Sequence, residues 1–126
     1  MKSCTSIQVD KDIKDTLFYT KDGILYHREF LEYTRVVAYP AGKKDPIYKS
    51  PEKTWIISVG AFLGADHLQE VYLPSSLKKI YDYAFSECKN LRKVIVKNRK
   101  KIPEVSEIAF LNSPKLKEHV KDKDDW

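Results

Sequence analysis

Cysteine, histidine and glycine are scarce in this 126-residue chain, and each scarcity removes a class of chemistry. The two cysteines, Cys4 and Cys88, stand far apart with no CxxC spacing, which argues against a structural zinc site and gives no support to a disulfide. Cys88 reads instead as a small buried apolar residue. Four glycines, Gly23, Gly42, Gly60 and Gly64, make neither a phosphate-cradling loop nor a dinucleotide fingerprint. His27, His67 and His119 are isolated from any metal-ligand motif and read as surface or turn residues. No serine sits in a nucleophile elbow. No enzymatic activity, metal or cofactor is expected. Long apolar runs are also missing: none approaches the roughly 18 to 20 residues of a membrane span. The opening Met1-Lys2-Ser3-Cys4 leads into polar residues rather than the apolar core of a signal peptide. That leaves a cytoplasmic chain or a targeting segment outside it.

Charge is abundant but mixed. Charged residues make up 33% and apolar residues 42% of the chain, an ordinary globular balance, and the net charge is +5. Because 18 acidic residues interleave with 23 basic ones, the bulk charge is weak evidence for nucleic acid. The length suits one domain with a modest core.

What the chain does have is a repeat. Ala61-Phe62, Leu68, Val71 and Leu73 return as Ala84-Phe85, Leu91, Val94 and Val96, each pair 23 residues apart. A fixed period of this length is the mark of a solenoid, whose units bury their apolar sides by stacking. The register extends both ways. Pro51 and Ile57 match Pro74 and Ile80 at the same spacing, placing Tyr48 and Ser50 at strand positions. Ile102, Val105, Ala109-Phe110 and Leu116 follow at a spacing of 25, a two-residue insertion. Upstream, Ile7 and Val9 align with Val71 and Leu73, so the chain opens within a repeat cut from a longer array, or on an unrelated strand. Within a unit, Val71 and Leu73 alternate about Tyr72 and Val94 and Val96 about Ile95, so the outer pair enters the core and the middle residue points away. Leu77 and Ile80, three apart, predict a helical or 3₁₀ turn on the far side. Phe62, Phe85 and Phe110 predict an aromatic spine.

Between the N-terminal segment and the repeats, Leu17–Lys21 and Ile24–His27 flank Asp22-Gly23, which predicts a tight β-hairpin. Residues 29–34 read as a wide loop or a distorted second hairpin, and Arg35–Tyr39 as a further strand ended by Pro40-Ala41-Gly42.

These residues resemble the BspA-like leucine-rich repeats, a 23-residue class found mainly in bacterial cell-surface and secreted proteins. The family pattern runs Ala-Phe, a Cys four positions on, Leu, Val, Leu-Pro, Leu, Ile. Ala84-Phe85, Cys88, Leu91, Val94 and Val96 fit one unit, and Ala61-Phe62, Leu68, Val71, Leu73-Pro74, Leu77 and Ile80 another. The stretches Asp22–Tyr26 and Val37–Gly42 resemble a hairpin insertion of that family. Ala65 departs from the family Cys and Ser50 from a strand aliphatic. The resemblance covers about residues 4–117. It implies an α/β repeat fold, a leucine-rich-repeat solenoid with a short-stranded parallel ladder, 3₁₀ or short helical turns opposite, and an N-terminal β-hairpin insertion. The expected division is a single domain over 1–120, with a partial repeat at 4–10, the insertion at 11–46, repeats at 47–120 and a charged tail at 121–126. It also implies an extracellular or cell-surface binding or adhesion module with a protein or glycan partner, and no catalytic residue.

Alternation along the four expected strands turns Gln8, Lys49, Tyr72 and Ile95 outward, with Glu70, Lys93 and Lys97 on the rim. A Tyr beside an exposed Ile on a rigid face suits a protein interface, although single exposed apolar residues are ordinary. A second candidate is the basic run holding Lys97, Arg99, Lys100 and Lys101, a patch for anionic polymers or a solvated loop. No aromatic platform is interleaved with it, which argues against single-stranded nucleic acid. The functional expectation is therefore binding through the strand face. The alternatives are a structural spacer or cap without its own ligand, and anionic-polymer binding through residues 97–101. The partner's identity and the oligomeric state are not specified by these patterns.

Overall fold

Short β-rich runs separated by turns recur throughout the chain, and a computed structural model, which describes residues 4–7, 17–97 and 103–116, resolves them into nine strands. These are β1 (Phe18–Lys21), β2 (Ile24–Arg28), β3 (Thr34–Ala38), β4 (Ile47–Lys49), β5 (Thr54–Ile57), β6 (Glu70–Leu73), β7 (Lys79–Ile80), β8 (Lys93–Val96) and β9 (Glu104–Val105). They form a three-stranded sheet in the order β4-β6-β8 and a six-stranded sheet in the order β1-β2-β3-β5-β7-β9.

The 23-residue offset becomes strand register in the first sheet. Tyr48, Val71 and Val94 stand side by side in parallel strands, as do Lys49, Tyr72 and Ile95. Tyr48, Val71, Leu73, Val94 and Val96 are buried, so the alternation of strand side chains sends this set into the core. Leu68 and Leu91, also fully buried, close each unit from the turn that precedes its strand.

The far side of each unit differs from expectation. The turn predicted from Leu77 and Ile80 is not helical: Ile80 lies in β7, and Ile57, Ile80 and Val105 form a second parallel ladder. No α-helix occurs among the described residues, whose one 3₁₀ turn is Phe30–Glu32. The α/β class and its opposed helical turns are thus corrected to a strand-rich fold. The physical reason is local composition. Thr54, Ile56, Ile57, Ile80 and Val105 are β-branched and favour a pleated surface, while the stretches between turns are too short to offset the cost of a helical nucleus.

The hairpin forms as its turn residues require. Asp22 and Gly23 take φ of 53° and 78°, the pair of positive values that a tight primed turn needs. Ser6 packs against this turn so closely that a Cβ on Gly23 would come within 3.0 Å of the Ser6 Cα, and the Ile7 N–H donates to the Gly23 carbonyl at 2.7 Å. After β2 the chain reverses through Leu31 and Glu32, both at positive φ, and β3 runs antiparallel to β2. The wide segment is therefore a second, irregular hairpin. Behind it, hydrogen bonds from His27 and Arg35 outweigh the effect of burial and hold the Glu29 carboxyl below its ordinary range.

β3 then pairs in parallel with β5, so the strand closing the hairpins runs in the second ladder itself. Directly after β3, Tyr39 stacks on Phe62 at 4.9 Å, Phe62 on Phe85 at 4.7 Å and Phe85 on Phe110 at 5.6 Å. One hydrogen bond repeats along this spine: Tyr39, Phe62 and Phe85 N–H groups donate to the carbonyls of Ala61, Ala84 and Ala109. The spine has four rings where sequence predicted three. Cys88 is buried beside it, with its thiol donating to the Phe62 carbonyl at 3.1 Å. Burial pushes that thiol up to about 12, so it stays protonated and unreactive at neutral pH.

Candidate functional site

The outward surface of the β4-β6-β8 sheet carries two rows of side chains at ladder spacing. One row holds Ile47, Glu70 and Lys93, the other Lys49, Tyr72 and Ile95. Strand alternation presents these residues because their neighbours Tyr48, Val71 and Val94 fill the core. Tyr72 donates its hydroxyl to Glu70 Oε1 at 2.6 Å, and Arg92 Nη2 lies 3.3 Å from Glu70 Oε2. Lys49 Nζ sits 5.9 Å from the centroid of the Tyr72 ring, at the outer limit of a cation–π contact. The Tyr72 ring is thus held by a carboxylate on its own strand rather than left to rotate.

The strand parity assigned from sequence agrees with this placement at Lys49, Glu70, Tyr72 and Lys93. Ile95 requires a correction. It faces outward in register with Tyr72 and lies outside the hydrophobic core cluster, yet it is only 6% exposed. Outward parity names the face a side chain leaves by, not whether that face is covered. The apolar contribution to the surface comes instead from Ile47, which is 46% exposed beside Glu70. Sequence reasoning missed it, although it stands two residues before Lys49 and so shares its face. Lys97 is exposed just beyond β8, with its N–H bonded to the Leu73 carbonyl. Gln8, and Arg99, Lys100 and Lys101 of the basic run, lie outside the described residues.

Where the strands end, Lys49, Ser50, Tyr72, Pro74 and Lys97 line a shallow depression of about 160 Å³. Ser50 Oγ is buried there with no protein hydrogen-bond partner. On the second ladder, Tyr33 stacks on Trp55 at 4.9 Å, and Lys78 Nζ lies 4.9 Å from the Trp55 ring. With a stacked ring and a cation this close, that indole is not an open stacking platform. Among the described residues no three His, Cys, Asp or Glu side chains converge as metal ligands. No helix among them is long and apolar enough to cross a membrane.

Comparison with known proteins agrees with this architecture. A search among curated proteins found no match. Among solved structures, the chain is similar to a leucine rich cell surface protein from Faecalibacterium prausnitzii A2-165, with a TM-score of 0.66 at 21% identity over 80% of this chain. It is also similar to a leucine-rich repeat protein from Bacteroides capillosus, with a TM-score of 0.60 at 15% identity over 83% of this chain. The match spans 32% of the first protein's length and 99% of the second's. At these identities the likeness is one of fold. The model for the BspA type leucine rich repeat region, with six copies, matches residues 48–123, more than half of the chain. The repeated Ala-Phe and Leu positions, the paired parallel strands and this match lead to one conclusion: the chain belongs to the BspA-type leucine-rich repeat family.

Proposed function

We propose that the chain is a non-catalytic binding or adhesion module of a bacterial cell-surface or secreted protein, and that it engages a protein or glycan through the outward face of β4, β6 and β8. Its units stack as one solenoid, and the first sheet supplies the contact surface. The observation that carries this reading is the pair of side-chain rows, with Tyr72 fixed by Glu70 on β6 and Lys49 and the exposed Ile47 beside them on β4. Parallel strands about 4.8 Å apart hold such residues at a constant spacing. A preorganised surface loses little side-chain entropy when it binds. Tyrosine is a frequent anchor of interface energy, and the charges of Glu70, Arg92 and Lys93 supply orientation and encounter rate more than affinity.

The test is the double variant Lys49→Ala/Tyr72→Ser against a partner identified on glycan arrays and immobilised extracellular proteins. Affinity should fall at least about tenfold, equivalent to roughly 1.4 kcal/mol. The thermal midpoint should stay within about 2 °C of the parent, because surface substitutions change stability little. Unaltered binding would show that the partner sits elsewhere.

A further inference from the structure

A second cavity opens where the β1–β2 turn, the loop after β3 and strand β4 converge. Its volume is about 230 Å³, room for seven or eight waters at roughly 30 Å³ each. That is the scale of a single sugar ring, not of a polymer. Three phenols and three ammonium groups line it: Tyr26, Tyr39, Tyr48, Lys21, Lys43 and Lys49. It shares Ile47 and Lys49 with the outward face described above, and Tyr72 does not line it.

The polar groups here are held in place. Tyr26 and Tyr48 join their hydroxyls at 3.0 Å. Lys43 Nζ donates to the Asp22 carbonyl at 2.9 Å and lies 3.6 Å from Asp45 Oδ2, so it bridges the hairpin turn to the loop. Tyr39 is only 4% exposed, and its hydroxyl has no hydrogen-bond partner in the protein. A buried hydroxyl left unpaired is costly, and native structures retain few of them. Burial raises all three phenols above their ordinary range. Each keeps its proton at neutral pH, and since one of the Tyr26–Tyr48 pair donates to the other, that pair and Tyr39 leave two O–H donors for a ligand.

The balance of donors and acceptors narrows the ligand. Three lysines call for negative charge, whereas the Asp22 and Asp45 carboxylates at the same cavity would repel a bare anion and accept from hydroxyls. A ring bearing one carboxylate and several hydroxyls satisfies both sets. We infer that this cavity is a subsite for one uronic-acid residue, its carboxylate received by the lysines and its hydroxyls shared among the tyrosines and the two aspartates.

Titration calorimetry of the full chain with free glucuronate tests this directly, with glucose, acetate and aspartate as parallel ligands. Saturable binding of glucuronate, at least tenfold tighter than each of the other three, is the expected result. Tyr39→Phe keeps the ring stack and removes only the unpartnered hydroxyl, so its thermal midpoint should hold while glucuronate affinity falls about tenfold. Lys43→Ala should produce a loss of similar size. Absent glucuronate binding overturns the inference, and so does glucose binding equally well. Equal binding of acetate or aspartate would reduce the cavity to a general carboxylate site and overturn the sugar assignment. Undiminished affinity in Tyr39→Phe would do the same for the phenol's role.

Discussion

Replacing Phe85 with alanine should destabilise the fold by about 3–5 kcal/mol, the range for a fully buried aromatic truncated in a core. Phe85 has no exposure and lies between Phe62, 4.7 Å away with planes at 14°, and Phe110, 5.6 Å away with planes at 10°. The loss has two parts. Transfer of the ring accounts for most of it, and two stacking contacts add about 0.5–1.5 kcal/mol each. The void cannot easily collapse, because the backbones on either side are fixed by the N–H bonds from Phe62 to Ala84 and from Phe85 to Ala109. A domain of this size has about 5–15 kcal/mol in total. Urea unfolding should therefore show a midpoint lower by roughly 1–5 M, given slopes of about 1–3 kcal/mol per M. A loss below about 1 kcal/mol would mean that the spine is not a packed column.

A still larger effect is expected from Val71→Asp. Val71 is fully buried at the centre of its sheet, with Tyr48 on one side and Val94 on the other. No cation faces that position among its strand partners, so an introduced carboxylate would be desolvated without a counter-charge. Such a group carries a penalty of several kcal/mol, or takes up a proton instead. The sign with pH follows. Burial raises the folded-state pKa of the new carboxyl above its unfolded value of about 3.9. The penalty is then largest above the raised folded-state value and shrinks as pH falls through it. At neutral pH the variant should be unfolded or nearly so by circular dichroism, with partial recovery relative to the parent near pH 5. Tyr72→Ser, one residue along the same strand, should be close to neutral in the same assay. Equal losses at the two positions would contradict the alternation on which the surface assignment rests.

The contrast between these neighbours also shows what was legible in the sequence. Period and parity together placed Val71 inside and Tyr72 outside, and carried the register of β4, β6 and β8 with them. Asp22-Gly23 announced its hairpin because few residue pairs accept two consecutive positive φ angles. The second ladder was not legible, since a three-residue spacing between Leu77 and Ile80 suits a helical turn and an entry into a short strand equally well. Tyr39 stands 23 residues before Phe62 but escaped notice as a member of the spine. Asp45 follows it where the pattern wants a leucine, and the β3 register slips against β5. Parity predicts an exposed Ile95 because it gives direction alone. The phenol cluster of Tyr26, Tyr39 and Tyr48 was hidden for a different reason: it is assembled from the hairpin strand β2, the loop just after β3 and the repeat strand β4, and no local pattern joins them.

The central claim is that a partner meets the outward face of the first sheet. Backbone amide NMR of the isotopically labelled chain, titrated with the partner found on the arrays, tests it most directly. The account predicts perturbed or broadened amides clustered at Ile47, Lys49, Glu70, Tyr72 and Lys93, with Trp55, Lys78 and Tyr81 on the second ladder unchanged. Perturbations centred on that second ladder, with the Tyr72 strand silent, would contradict it.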